Sequence, residues 1–160
     1  MGGSYVRVMV TVTRRMRCPA DAVLALLADG WSYATWVVGT SRIRGVDTAW
    51  PTPGTRIAHS AGIWPLVVND VTVALDWDRP GGRLELQARG WPAGEARVLL
   101  RVRRDGDGCV VRLDEDAVRG PGTLVPRPLR SAMLLPRNRE TLQRLAMLAE
   151  RRAADDATAP

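Results

Sequence analysis

The stretch ARVLLRVRRDGDGCVVRLDEDA, residues 96–117, reads as two β-strands joined by a tight reversal. In its second half Cys109, Val111 and Leu113 alternate with other residues, the two-residue period of a half-buried strand. Glu115 falls on the same side of that alternation, whereas Arg112, Asp114 and Asp116 fall on the other and are expected to point outward. Between the strands, Asp105-Gly106-Asp107-Gly108 supplies residues that accept a sharp turn. Arg97, Arg101 and Arg103 share an even spacing in the first half, as expected for the solvated face of a sheet.

Working outward, the same pattern repeats upstream. Ser41–Val46, Thr55–Ser60, Leu66–Trp77 and Arg83–Arg89 are further strand candidates, punctuated by Pro53-Gly54 and by Arg79-Pro80-Gly81-Gly82. Leu66–Trp77 is long, and a bulge is expected near Asn69-Asp70, which leaves the facing of Asp70 open. At the N-terminal end, Tyr5–Thr13 alternates with Val6, Val8, Val10 and Val12 on one face. Cys18-Pro19-Ala20-Asp21 then starts a short helix with Val23, Leu24, Leu26 and Leu27 on its buried side, ending near Gly30. Trp31–Trp36 reads as a second short helical turn.

Downstream, Gly120-Pro121-Gly122 opens a Pro-rich extended segment reaching Pro128. A long helix follows from about Leu129 to Arg152, with Leu134, Leu135, Leu142, Leu145, Leu148 and Ala149 as its apolar stripe. Pro136 inside it predicts a kink or a late start. Residues Ala153–Pro160 read as a loose tail, so one α+β domain over residues 1–152 is expected. An antiparallel sheet apolar on one face needs a covering layer, and this helix is the only large candidate. One helix cannot fill the hollow of a seven-stranded curved sheet, so a cavity should remain between them.

Composition narrows the chemistry. With 160 residues, 46% hydrophobic and 25% charged, the chain has the balance of one globular domain. All 23 basic residues are Arg, which excludes a Schiff-base lysine and a P-loop lysine. The net charge of +6 is scattered rather than blocked, which argues against a nucleic-acid partner. His59 is the single histidine, so no His-pair zinc motif exists, and Cys18 and Cys109 are too far apart for a zinc knuckle. Neither G-x-S-x-G nor G-x-G-x-x-G occurs. No metal and no cofactor is expected. No apolar run approaches the roughly 18 residues of a membrane span, and no signal-peptide core precedes the first strand, so the expected location is the cytoplasm.

Strand and helix phase select the inward polar residues. His59 shares a face with Ile57, Glu115 with Leu113, and Asn138 lies on the inner stripe between Leu134 and Leu142. An inward carboxylate must be paired, hydrated or protonated. Glu115 is therefore either a general acid/base beside the imidazole or a structural partner of backbone or arginine. His59 is likewise a proton carrier or a satisfied core residue, and Asn138 a ligand contact or a helix-to-sheet bond.

The segments Cys18-Pro19…Val23…Leu27-Ala28-Asp29…Trp36, Pro53-Gly54-Thr55-Arg56-Ile57…His59, Glu115-Asp116…Gly120-Pro121 and Asn138-Arg139-Glu140-Thr141-Leu142 resemble the SRPBCC (START/Bet v 1-like) superfamily, within it the polyketide cyclase/dehydrase-like group. The resemblance spans about Tyr5–Arg152. It implies a helix-grip fold: a seven-stranded curved antiparallel sheet wrapped around a long C-terminal helix, with two short helices after the first strand. It also implies a deep cavity for a hydrophobic or aromatic small molecule. Superfamily members bind lipids, sterols or hormones, or cyclise and dehydrate polyketides, so both a binding module and a cofactor-independent cyclase using His59 or Glu115 are open. In such a fold Trp36 and Trp64 would line the pocket and Trp91 would sit near its mouth. Val23-Leu24 stands where many relatives have a large aromatic, a difference expected to reshape the pocket. Cys18 and Cys109 would fall on neighbouring strands as free thiols.

Overall fold

The computed structural model describes residues 9–63, 65–90 and 94–159. Seven antiparallel strands form one sheet in the order β1-β7-β6-β5-β4-β3-β2. They are β1 (Val10–Met16), β2 (Thr40–Val46), β3 (Arg56–Ile63), β4 (Leu66–Asp78), β5 (Arg83–Gly90), β6 (Gly94–Asp105) and β7 (Gly108–Arg119). Between β1 and β2 lie α1 (Ala20–Ala28), a single 3₁₀ turn (Gly30–Ser32) and α2 (Tyr33–Trp36). A second 3₁₀ turn (Pro121–Leu124) leads into α3 (Arg127–Thr158). This is the helix-grip arrangement of sheet and helices.

The β6–β7 hairpin closes through Gly106 and Asp107, because Asp105 pairs with Gly108. Gly106 has φ +61° and no non-glycine residue among those described has positive φ, so the turn takes the II′ form, with glycine at its first central position. The register then sets Glu115 opposite Val98 on one side and Val10 on the other. In β4 the irregularity falls between Ala74 and Asp76 and not at Asn69-Asp70, where pairing with β3 is regular. That keeps Asp70, Thr72 and Ala74 on one buried face, with Asp70 directly across from His59.

The core gathers the inner sheet face, α1 and the second half of α3. Met16, Val23, Leu26, Ile57, Leu100, Val111, Leu142, Leu145 and Ala149 are completely enclosed. Val23 and Leu24 belong to this core, away from the cavity lining. Polar contacts to the segments around α1 and α2 help dock α3. Glu150 accepts from the Arg17 backbone N–H at 2.7 Å, Arg152 Nη2 donates to Asp29 Oδ2 at 3.2 Å, and Thr141 Oγ1 accepts from the Val38 N–H at 3.2 Å.

Several boundaries differ from the sequence reading. The first strand extends to Met16, and the part of that reading on Tyr5, Val6 and Val8 lies outside the described residues. The helix α3 begins at Arg127, with Pro128 in its first turn, where a missing N–H is harmless. It runs through Pro136 and continues to Thr158, across most of the expected tail. The outward-facing arginines are paired across the convex face: Arg97 with Glu85 at 3.2 Å and Arg101 with Asp114 at 3.0 Å. Asp114 and Asp116, expected to point into solvent, are buried. Asp114 lies beneath Arg101, Arg112 and Thr11, and Asp116 is held by Arg130 of α3.

Candidate functional site

A cavity of about 300 Å³ lies between the concave sheet face and the first half of α3. Its walls are largely apolar, including Leu86, Val98, Leu100, Leu113 and Leu134. At one end Gly94, where β5 turns into β6, approaches Arg119 so closely that a Cβ would lie 1.9 Å from the Arg119 carbonyl oxygen. Its φ of +112° is a second reason for glycine there.

Two polar groupings face this space. On the helix side, Glu115 is 3% exposed and accepts hydrogen bonds from Arg137 and Asn138. Arg137 Nη2 reaches both carboxylate oxygens, Oε1 at 2.6 Å, and Asn138 Nδ2 donates to Oε2 at 2.8 Å. Arg137 also donates to Asn138 Oδ1 at 3.2 Å, which ties the two consecutive helix residues together. Of the two readings of Glu115, the geometry fits the paired one, with arginine supplied by α3 and not by a strand end.

On the sheet side, Tyr33, Thr72 and His59 form a chain. Tyr33 Oη lies 3.2 Å from Thr72 Oγ1, which lies 3.0 Å from His59 Nε2. The Tyr33 ring meets Trp36 edge-on with centroids 5.3 Å apart and lies tilted to the His59 ring at 5.8 Å. Burial drives His59 below the usual histidine range, against the pull of the Asp70 carboxylate and with a smaller push from Arg44. Burial likewise raises the Tyr33 phenol, partly offset by its bond to Thr72. Both groups are neutral near pH 7.

Of the residues selected from sequence, Trp36, His59, Glu115 and Asn138 all line the cavity. Trp64 and Trp91 lie outside the described residues. Sequence reading missed Arg137, Tyr33, Thr72 and Arg130. Arg137 had a signal: positions 134, 137, 138, 141, 142 and 145 follow one helical stripe, and an arginine on it is conspicuous. Thr72 was not singled out because the bulge expected near Asn69-Asp70 left the phase of that strand open.

Three buried side-chain nitrogens among the described residues have no hydrogen-bond partner: Trp36 Nε1, His59 Nδ1 and Arg130 Nε. Each belongs to a side chain that lines the cavity. An unsatisfied buried donor costs on the order of 1–3 kcal/mol. By contrast, the buried Trp50 indole donates to Leu27 O at 3.2 Å.

Cys18 and Cys109 are both buried free thiols, and they lie near enough to shift each other's titration. Burial, reinforced by Cys109, pushes the Cys18 thiol up to about 12. No helix among the described residues is long and apolar enough to cross a membrane.

The family profile described as polyketide cyclase / dehydrase and lipid transport matches residues 7–150. The chain belongs to that family. Solved structures of the same fold include Ara h 8.0201, at TM-score 0.67 and 11% identity, covering 92% of this chain and 97% of that one. Protein NE0264 from Nitrosomonas europaea superposes at TM-score 0.69 and 16% identity, covering 90% and 95%. The di-domain ARO/CYC StfQ from the steffimycin biosynthetic pathway matches at TM-score 0.66 and 16% identity, covering 89% of this chain and 44% of that one. No curated protein sequence matches. At these identities the likeness shows the fold, so the polyketide cyclase / dehydrase and lipid transport family is placed here by its profile.

Proposed function

We propose that this protein binds a hydrophobic, ring-bearing small molecule, lipid-like or polyketide-like, inside the cavity between the sheet and α3. The observation that carries this reading is a preformed apolar space whose few polar groups converge from opposite walls, as in small-molecule sites generally. At about 300 Å³ it lies at the small end of such sites, which favours a compact ring system over a long acyl chain. Trp36 and the aliphatic walls supply affinity by burial, while His59, Glu115 and Asn138 orient the ligand, the last two through Arg137. A reducing cytoplasm suits two buried free thiols.

Native mass spectrometry of the purified protein, then titration of polycyclic aromatics against tryptophan fluorescence, tests the reading. A co-purified apolar molecule or saturable quenching is expected. Neither result across such a panel would overturn it.

A second reading, a cofactor-independent cyclase or dehydratase, is favoured by one feature. His59 is held neutral on a hydrogen-bonded chain to Tyr33 beside the cavity, the protonation state from which an imidazole works in general acid/base chemistry. Glu115, bonded to both Arg137 and Asn138, suits holding the helix side in place better than carrying a proton. If His59→Gln abolished turnover of a bound substrate while leaving its Kd within about threefold, the enzyme reading would stand. Weakened binding alone would leave the binding module.

A further inference from the structure

The opening of α3, residues 127–136, exposes apolar side chains where a surface helix ordinarily presents polar ones. Leu129, Ala132, Met133 and Pro136 recur at steps of three and four, and all are exposed, Leu129 by 55% and Met133 by 65%. Leu124, in the 3₁₀ turn just before the helix, is 84% exposed. Beyond Pro136 the outward positions turn polar, with Arg139, Gln143 and Arg144 preceding Met147. The change falls where the inner face passes from cavity to core. Leu134, Asn138 and Thr141 line the cavity, whereas Leu142 and Leu145 belong to the core. At the same end of the sheet, Leu66 and Val67 are exposed at the start of β4, beside the pairing of Val68 with the cavity-lining Ala61.

Positive charge gathers in the same segment. Residues 117–139 contain five arginines and no acidic residue. Arg130 and Arg137 are paired with Asp116 and Glu115 of β7. Arg119, Arg127 and Arg139 are exposed and enter no ion pair among the described residues. The next acidic residue, Glu140, is held by Arg144 at 2.8 Å.

A second copy of the chain would set these unpaired guanidinium groups against their own counterparts, which disfavours a homodimer through this face. An anionic bilayer surface meets both features at once. Leucine and methionine side chains enter the boundary of the acyl chains, and the arginines reach the phosphates. We infer that the face formed by Leu124, Leu129, Met133, Arg119, Arg127 and Arg139 docks on an anionic lipid surface. Met133 also lines the cavity, so the docked face adjoins that space. The protein then rests on the bilayer, since no helix among the described residues is long and apolar enough to cross it. The inference stands whatever the cavity holds, so it and the binding reading above fail separately.

Cosedimentation of the full chain with lipid vesicles tests it. Binding to vesicles of phosphatidylcholine and phosphatidylglycerol in equal parts should be at least ~10-fold tighter than to phosphatidylcholine alone, each arginine at the surface contributing roughly fivefold. That binding should weaken as salt is raised. Leu124→Ser combined with Leu129→Ser, at exposed positions outside the cavity lining, should weaken it at least ~10-fold. The Tm of that variant should stay within about 2 °C of the wild type. Arg119→Gln, Arg127→Gln and Arg139→Gln together should bring the two vesicle types within about threefold. No binding of the wild type to the mixed vesicles, or binding that either set of substitutions leaves unchanged, would overturn the inference and leave the face to an acidic protein. A dimer in sedimentation velocity that the two leucine substitutions dissolve would overturn it in favour of a second copy.

Discussion

Removing Arg137 should destabilise the protein more than neutralising the carboxylate it pairs with. Glu115 keeps 4% of its side-chain exposure and Arg137 keeps 41%, so the two partners do not lose equally. In Arg137→Ala a buried carboxylate is left with Asn138 as its remaining side-chain partner. Breaking a fully buried pair this way costs ~3–5 kcal/mol. The adjoining cavity admits water to the bare carboxylate, so the expected loss is about 2–3 kcal/mol. In Glu115→Gln the amide oxygen still accepts from Asn138, and the released guanidinium turns to solvent through its exposed side. That variant should lose about 1–2 kcal/mol. Urea unfolding of the wild type, both single variants and the double variant gives the comparison and a coupling energy, expected at about 1–2 kcal/mol for groups in direct contact. For a chain of this length each kcal/mol is roughly 2–4 °C in Tm, which provides a second readout. Equal losses in the two single variants, or a coupling below about 0.3 kcal/mol, would refute the reasoning that this pair holds α3 against the sheet.

Three further outcomes are expected. Because burial lowers the His59 pKa, the folded state resists protonation that the unfolded chain accepts; the associated stability is present above about pH 6.5 and is lost as the pH falls below it. The Tm difference between wild type and His59→Gln, followed from pH 7.5 to 5, should therefore shift against the wild type toward acid, and a flat difference would contradict it. Cys18, raised to about 12, and its neighbour Cys109 should react with a disulfide reagent at pH 8 at least ~100-fold more slowly in the native protein than in urea, and a native rate equal to the unfolded one would contradict their enclosure. Leu145, fully buried where α3 meets the core, should lose about 2–5 kcal/mol on Leu145→Ala, measured by urea unfolding; a loss below about 1 kcal/mol would mean that the helix is not anchored there.

Local chemistry made most of the fold legible. All seven strands and both short helices announced themselves because burial on one face imposes a period of two or of 3.6, and because Gly106, Gly82 and Gly54 sit where the chain must reverse. Phase carried three of the inward polar residues correctly: His59 through Ile57, Glu115 through Leu113, and Asn138 through Leu134 and Leu142. Errors arose where a residue's environment is set by something distant in sequence. Asp114 follows the outward phase and is buried nonetheless, since Arg101 from the next strand and Thr11 from β1 close over it. Pro136 does not stop α3, because burial of Asn138, Leu142 and Leu145 against the sheet outweighs one missing backbone bond.

The amino-acid sequence by itself therefore determined the elements, their order and the inward side of most strands, though not of Leu66–Asp78, since these depend on neighbours a few positions away. Which groups meet across the cavity was decided by the tertiary structure alone. Glu115 and Arg137 are 22 residues apart, and Tyr33 and Thr72 are 39 apart. No periodicity extends over such separations, and only the curvature of the sheet and the docking of α3 bring those side chains within hydrogen-bonding distance. The three unpartnered nitrogens among the described residues are a property of that assembled space, because a nitrogen is bare only relative to everything packed around it.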